Sequence, residues 1–271
     1  MRRRWKWLIG GVVVLIAIAA AGPYIYIHFV EGPAPPKLSL PTSHATTTEA
    51  ASGAGTANTE ITGTFHVGSG SEAGYRVEEV LVGQHATAVG RTSKIWGSVT
   101  ISDDTVTAGT FSVDMASVVS DQSQRNAQFD GRIMDVASYP TSTLKLTTPI
   151  ALGTVAPVGS KSDYRASGAL TMHGVTKTVH FPLTAERTVD GIYVLADLPI
   201  TFAEWNISNP SVGGFVTTAD SGTLEVLLDL TTGAGNPAAT GSSSSSPGEG
   251  GSPGQVTVPK TTVPKITIPN G

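Results

Sequence analysis

Lys94-Ile95-Trp96-Gly97-Ser98-Val99-Thr100-Ile101-Ser102 alternates in character along its length. Ile95, Val99 and Ile101 fall on one side, and Trp96, Ser98 and Thr100 on the other. Successive side chains of a strand leave opposite faces of a sheet, so the stretch reads as a strand with one buried face. Asp103-Asp104 follows as a turn signal, and a second strand starts at Thr105 with Val106, Ala108, Phe111 and Val113. The change of parity between Ala108 and Phe111 predicts a bulge near Gly109.

The same alternation continues outward. Leu144 and Leu146 alternate with Thr143, Lys145 and Thr147. Residues 165–172 and 176–183 flank His173-Gly174, a hairpin turn that uses the ease with which glycine takes a positive φ. Asp190-Gly191 marks a second hairpin, and 223–230 form a last strand with Leu224, Val226 and Leu228 on one face. Residues 120–134 break the pattern and predict one short helical insertion. Ser120 or Asp121 is placed to cap it, Gly131 to interrupt or end it, and Phe129 and Ile133 to face the sheet together. The expectation is an all-β, antiparallel domain of about eight strands, whose closure into a barrel would remove exposed edges. The pattern alone does not separate a barrel from a sandwich, nor a hollow interior from a filled one.

This domain occupies residues 60–231 of 271, and the rest of the chain has a different character. Residues 1–7 hold Arg2, Arg3, Arg4 and Lys6, a basic flank. Residues 8–30 contain no Asp, Glu, Lys or Arg. At about 1.5 Å per residue that run is long enough for a hydrocarbon core of roughly 30 Å. The basic flank is expected in the cytoplasm, which makes 8–30 a single transmembrane signal anchor and puts the domain outside. The alternative is a cleaved, secreted form, since Ala17-Ile18-Ala19 and Ala19-Ala20-Ala21 offer the small residues that a signal peptidase needs. Residues 31–59 are a Pro/Thr/Ala-rich spacer, and 232–271 a Ser/Gly/Pro-rich tail whose composition predicts disorder. The tail ends in a quasi-repeat, Thr257-Val258-Pro259-Lys260 and Thr262-Val263-Pro264-Lys265, which suggests a contact with the cell envelope or a partner.

Composition excludes several functions. The net charge of −4, with the domain more acidic than either end, argues against nucleic acid as a partner. Absence of cysteine removes thiolate metal sites, cysteine nucleophiles and disulfides, so core burial alone must hold the domain. No catalytic set stands out. His66, His85, His173 and His180 form no metal-binding spacing, there is no nucleophile elbow, and no phosphate loop is present. The pairs Glu78-Glu79 and Asp103-Asp104 read as surface features, because neighbouring strand residues point apart. A calcium site at Asp130 and Asp135 matches no loop motif. The reading is therefore of a protein with no enzymatic activity, metal or cofactor. Arg76 and Arg125 admit two roles: solvent-facing side chains with their stems on the sheet, or donors at a pocket mouth that hold a ligand headgroup.

Several segments together resemble a known family. Tyr75-Arg76-Val77-Glu78-Glu79-Val80-Leu81, Ala88-Val89-Gly90-Arg91-Thr92, the 95–101 strand, Phe111-Ser112-Val113-Asp114-Met115-Ala116-Ser117, Tyr139-Pro140-Thr141 and Leu170-Thr171-Met172-His173-Gly174-Val175-Thr176 follow in the order of the YceI-like family, the lipid- or polyisoprenoid-binding proteins. The resemblance covers about 60–231. It implies a lipocalin-like antiparallel barrel, an apolar interior for an isoprenoid or other long amphiphile, and an extracytoplasmic location. Members often carry Arg-Asp at the start of the helical insertion; here Asn126 follows Arg125, which removes that carboxylate. Phe111, Val113, Met115, Phe129, Leu144, Leu146 and Phe181 are the candidate lining, with Arg76 and Arg125 as candidate headgroup contacts. The expected function is a membrane-anchored, extracytoplasmic protein that binds or carries a polyisoprenoid. The alternative is a structural envelope module with a filled barrel.

Overall fold

The computed structural model describes residues 34–41 and 61–237, apart from Val155 and Phe215. The basic flank, the anchor expected at 8–30, most of the spacer and the tail beyond 237 lie outside the described residues.

A closed antiparallel barrel forms from strands that bend in mid-course. β1 (Gly63–Val67) and β2 (Glu72–Leu81) are two halves of one bent strand. β3 (Gln84–Thr92) and β4 (Ile95–Ser102) are the halves of its partner, since β2 pairs with β3 and β1 with β4. β5 (Thr105–Asp114) pairs with β4, and its continuation β6 (Val119–Ser120) pairs with β3. The wall runs on through β7 (Thr141–Leu146), β9 (Lys161–Met172), β10 (Val175–Arg187), β11 (Gly191–Thr201) and β13 (Ser221–Thr231). β13 then pairs with both β1 and β2, which closes a ring of eight long strands. Short β8 (Ile150–Ala151) and β12 (Val216–Thr218) add to β5 and β2. Closure decides the question the alternating pattern left open, and the sandwich is excluded.

Turn chemistry acts where the sequence placed it. His173 and Gly174 have φ of 49° and 73°, and Met172 faces Val175 across the two-residue hairpin. Asp103 takes φ of 53° in the turn between β4 and β5. Val82-Gly83, with φ of 47° and 83°, makes a hairpin between β2 and β3 that sequence reasoning had not singled out. The bulge is real but lies at Thr107 rather than Gly109: Thr100 faces Ala108 while Ile101 faces Val106. The extra residue restores inward parity for Phe111 and Val113.

The helical insertion is α1 (Ser123–Gln128), widened into a looser π turn at Phe129–Ile133 that contains Gly131. Neither Ser120 nor Asp121 caps it. The capping position is Gln122, which makes no side-chain bond there. Ser120 belongs to β6, and its backbone N–H and hydroxyl donate to Asn126 Oδ1 at 2.7 and 2.8 Å. Asn126 thus ties the helix to the barrel rim.

The apolar faces gather in two clusters at opposite ends of the tube. One includes Phe65, Val67, Ile101, Phe181 and Leu230. The other lies beneath α1 and includes Val77, Met115, Phe129, Met172 and Trp205. Among the described residues, no helix is long and apolar enough to cross a membrane.

Candidate functional site

The barrel is hollow, and residues of both clusters line the space. A cavity of about 840 Å³ runs inside it, walled by the inward faces of the eight strands and by α1. Phe111, Val113, Met115, Phe129, Leu144, Leu146 and Phe181 all line this space, and Arg125 lies at its α1 end. Small residues keep the tube open, notably Ala73, Ala88 and Ala196.

Arg76 is elsewhere. Ala73, Tyr75, Val77 and Glu79 face the cavity, so Arg76 and Glu78 must leave the outer side of β2. On the outer wall Arg76 Nε donates to Glu225 Oε1 at 2.7 Å, and Arg91 Nη2 to Glu225 Oε2 at 2.9 Å. Glu225 is 0 % exposed although it faces outward, and the two arginines that hold it also bind residues 34–41. Arg76 Nη2 also donates to the Pro35 carbonyl at 2.8 Å, and Arg91 Nη2 donates to that of Pro36. Lys37 reaches Asp197 at 3.7 Å, and Leu40 is buried. The headgroup role considered for Arg76 therefore has no geometric basis, because its charge is spent on a carboxylate outside the tube.

The cavity mouth beside α1 holds a polar cluster. Arg125 Nη2 donates to Glu79 Oε1 at 3.0 Å, and Nη1 to Asp121 Oδ1 at 2.5 Å. Burial opposes the Arg125 charge, but Glu79 and Asp121 outweigh it and hold the guanidinium above its ordinary range. Arg125 thus pairs with two carboxylates although Asn126, not an aspartate, follows it. The Tyr75 ring stacks on Phe129 with centroids 5.2 Å apart and 13° between planes. Burial pushes the Tyr75 hydroxyl up to about 12; Arg125 opposes this, and Glu79, Asp121 and Asp130 add to it. Glu79 is the residue that sequence reasoning misjudged. It is buried rather than a surface carboxylate, and its shared parity with Tyr75 and Val77 was the available signal.

Two of the histidines make contacts away from the cavity. His173 Nδ1 lies 3.0 Å from the Trp205 carbonyl, with the Tyr139 ring edge-on at 4.8 Å, and His180 Nδ1 lies 2.8 Å from Ser167 Oγ. Among the described residues, no group of three or more His, Asp or Glu is gathered tightly enough to hold a metal.

The solved structures that resemble this barrel include a polyisoprenoid binding domain from Saccharophagus degradans implicated in plant cell wall breakdown. It is 15 % identical, aligned over 63 % of this chain and 98 % of that one, with a TM-score of 0.51. BcnA of Burkholderia cenocepacia is 22 % identical over 58 % of this chain and 96 % of its own, with a TM-score of 0.44. The Campylobacter jejuni YCEI protein is 12 % identical over 50 % and 81 %, with a TM-score of 0.38. No curated protein matches the sequence. The sequence profile of the YceI-like domain matches residues 42–230, the whole barrel and the chain just before it, and the protein accordingly belongs to the YceI-like family.

Proposed function

We propose that this chain is a membrane-anchored, extracytoplasmic binding protein that holds or carries a polyisoprenoid, or a similar long-chain amphiphile, inside the barrel and performs no chemistry on it. The observation that carries the reading is the continuous apolar tube of about 840 Å³. The ligand class comes from the Saccharophagus degradans domain of the same fold. Non-catalytic binding fits the mouth, where Arg125, Glu79 and Asp121 are engaged with one another. The anchor rests on the uncharged run 8–30 behind its basic flank.

A buried methylene-sized group contributes about 0.8 kcal/mol. Association costs roughly 4–15 kcal/mol, and micromolar affinity needs about 8 kcal/mol net. On those figures a ligand must bury on the order of 15–30 such groups. An isoprene unit has about five carbons, so the reading expects chains of roughly three to six units or more. The alternative of an envelope module loses its premise of a filled barrel.

The test is mass spectrometry of organic extracts of the purified full-length chain, followed by titration with isoprenoid alcohols of increasing length. Affinity should climb with length and level off once the tube is full. No extracted lipid and no binding at any length would overturn the proposal.

A further inference from the structure

Residues 34–41 form a strap across the outer wall, and the mouth of the tube lies beside α1. We infer that the strap holds the α1-side mouth against the bilayer, so that the ligand passes between bilayer and tube across an apolar rim without crossing water. This rests on the proposed anchor at 8–30 and adds an orientation to it.

Two observations carry it. The first is tether length. The uncharged run ends at Val30, and Pro35 is fixed to the wall through its carbonyl and Arg76. Five residues of extended chain reach at most ~17 Å. Along β2, Leu81 at the mouth is five residues past Arg76, about 17 Å at strand rise. In the other direction Thr223 faces Arg76, and β13 runs eight residues further to Thr231 at the opposite end, about 26 Å. Strand tilt shortens both distances in proportion. The tether reaches the mouth and falls short of the far end.

The second is the character of the rim. Leu81 and Val216 pair at the mouth and line the cavity; Val82 and Val212, each 52 % exposed, line it too. Val82 is the tip of the β2–β3 hairpin, where a polar residue would be at no disadvantage in water. The opposite end also exposes apolar side chains, Val189 at 84 % and Val158 at 51 %, but neither lines the tube. Those at the mouth are both solvent-facing and continuous with it, which suits a lipid surface and lowers the cost of moving an aliphatic chain from one apolar medium to another.

The chain lacks cysteine, so single labels are available. Val82→Cys reports the mouth, and Asp190→Cys reports the turn at the opposite end. Each full-length variant carries a fluorophore and is reconstituted into phosphatidylcholine–phosphatidylglycerol vesicles doped with a headgroup-nitroxide lipid. Quenching should be severalfold stronger at position 82 than at 190. Equal or reversed quenching overturns the inference. Inserting a Gly/Ser segment of about twenty residues after Gly32, which leaves every wall contact intact and extends the reach several-fold, should bring the two positions toward equality. Unchanged quenching after insertion removes the tether from the argument. Vesicle flotation separates the two readings: a chain that fails to float refutes the anchor, whereas one that floats with both ends equally quenched refutes only the orientation.

Discussion

Ala196→Phe separates a hollow barrel from a filled one by the sign of its effect. Ala196 is 7 % exposed, lines the cavity, and sits between Leu183 and Val226 of the neighbouring strands. A phenyl ring there places about six more carbons in the tube, at ~0.8 kcal/mol of ligand contact each. A long-chain ligand should therefore lose up to about 5 kcal/mol, roughly several thousandfold in affinity. The ligand-free protein should be no less stable, and filling empty space commonly adds about 0.5–2 kcal/mol. A solid core would respond the other way, because overpacking costs about 1–3 kcal/mol and no ligand site would exist to lose. The assay pairs urea denaturation of the delipidated variant with competition by a long-chain isoprenoid alcohol. A variant destabilised by a few kcal/mol with unchanged binding would refute the claim that the apolar faces enclose usable space.

Three other perturbations follow from particular contacts. Glu225→Gln leaves Arg76 and Arg91 without their buried carboxylate and should destabilise by about 3–5 kcal/mol, read from the urea midpoint; a loss below about 1 kcal/mol would mean that the strap and arginines are held otherwise. The Tyr75 hydroxyl, up at about 12 from an ordinary 10.0, stays protonated in the fold while the unfolded chain ionises. Its contribution is complete below pH 10 and should disappear between pH 10 and 12, at about 1.4 kcal/mol per pH unit; Tyr75→Phe should remove that part of the slope, and an identical slope would refute the burial argument. Gly97→Ala should destabilise by at least about 1–3 kcal/mol, because φ there is 146° and a Cβ would run into the Thr110 carbonyl of β5; wild-type thermal stability would contradict the local geometry.

What was legible in the sequence was legible through parity. Ile95, Val99 and Ile101 face inward as their spacing required, and so do Leu144, Leu146 and Phe181. Parity also contained the answer for Arg76 and Glu79, which residue type had obscured. Both are charged residues in β2, and an odd separation puts one outside and the other in the tube. The bulge at Thr107 was visible as a phase change, but phase cannot say which of several residues is the extra one. The strap at 34–41 was not legible at all. Its fixed points are the Pro35 and Pro36 carbonyls, which every residue has, and their donors lie 41 and 55 residues away. Asn236, in what reads as tail, likewise bonds to the Gly68 and Ile95 carbonyls at 3.1 and 3.0 Å.

The size of the cavity constrains the resting state of the protein. Cavities left by core truncations cost about 24 cal/mol per Å³. Applied to about 840 Å³, that gives on the order of 20 kcal/mol, above the 5–15 kcal/mol by which domains are normally stable. The tube opens to solvent, so this closed-cavity figure is an upper bound on what an unfilled interior costs the fold. Water can enter at the mouth, but each buried water needs about two to four polar partners. Phe111, Leu144, Leu146 and Phe181 offer none, so water is held only where polar side chains such as Gln124, Ser142 and Tyr164 line the tube. An aliphatic chain makes the opposite exchange, covering the same wall without demanding hydrogen bonds. A bound aliphatic chain is therefore expected to stabilise the barrel. Stripping lipid from the purified chain should lower its unfolding temperature, and re-addition of a chain of matching length should restore it.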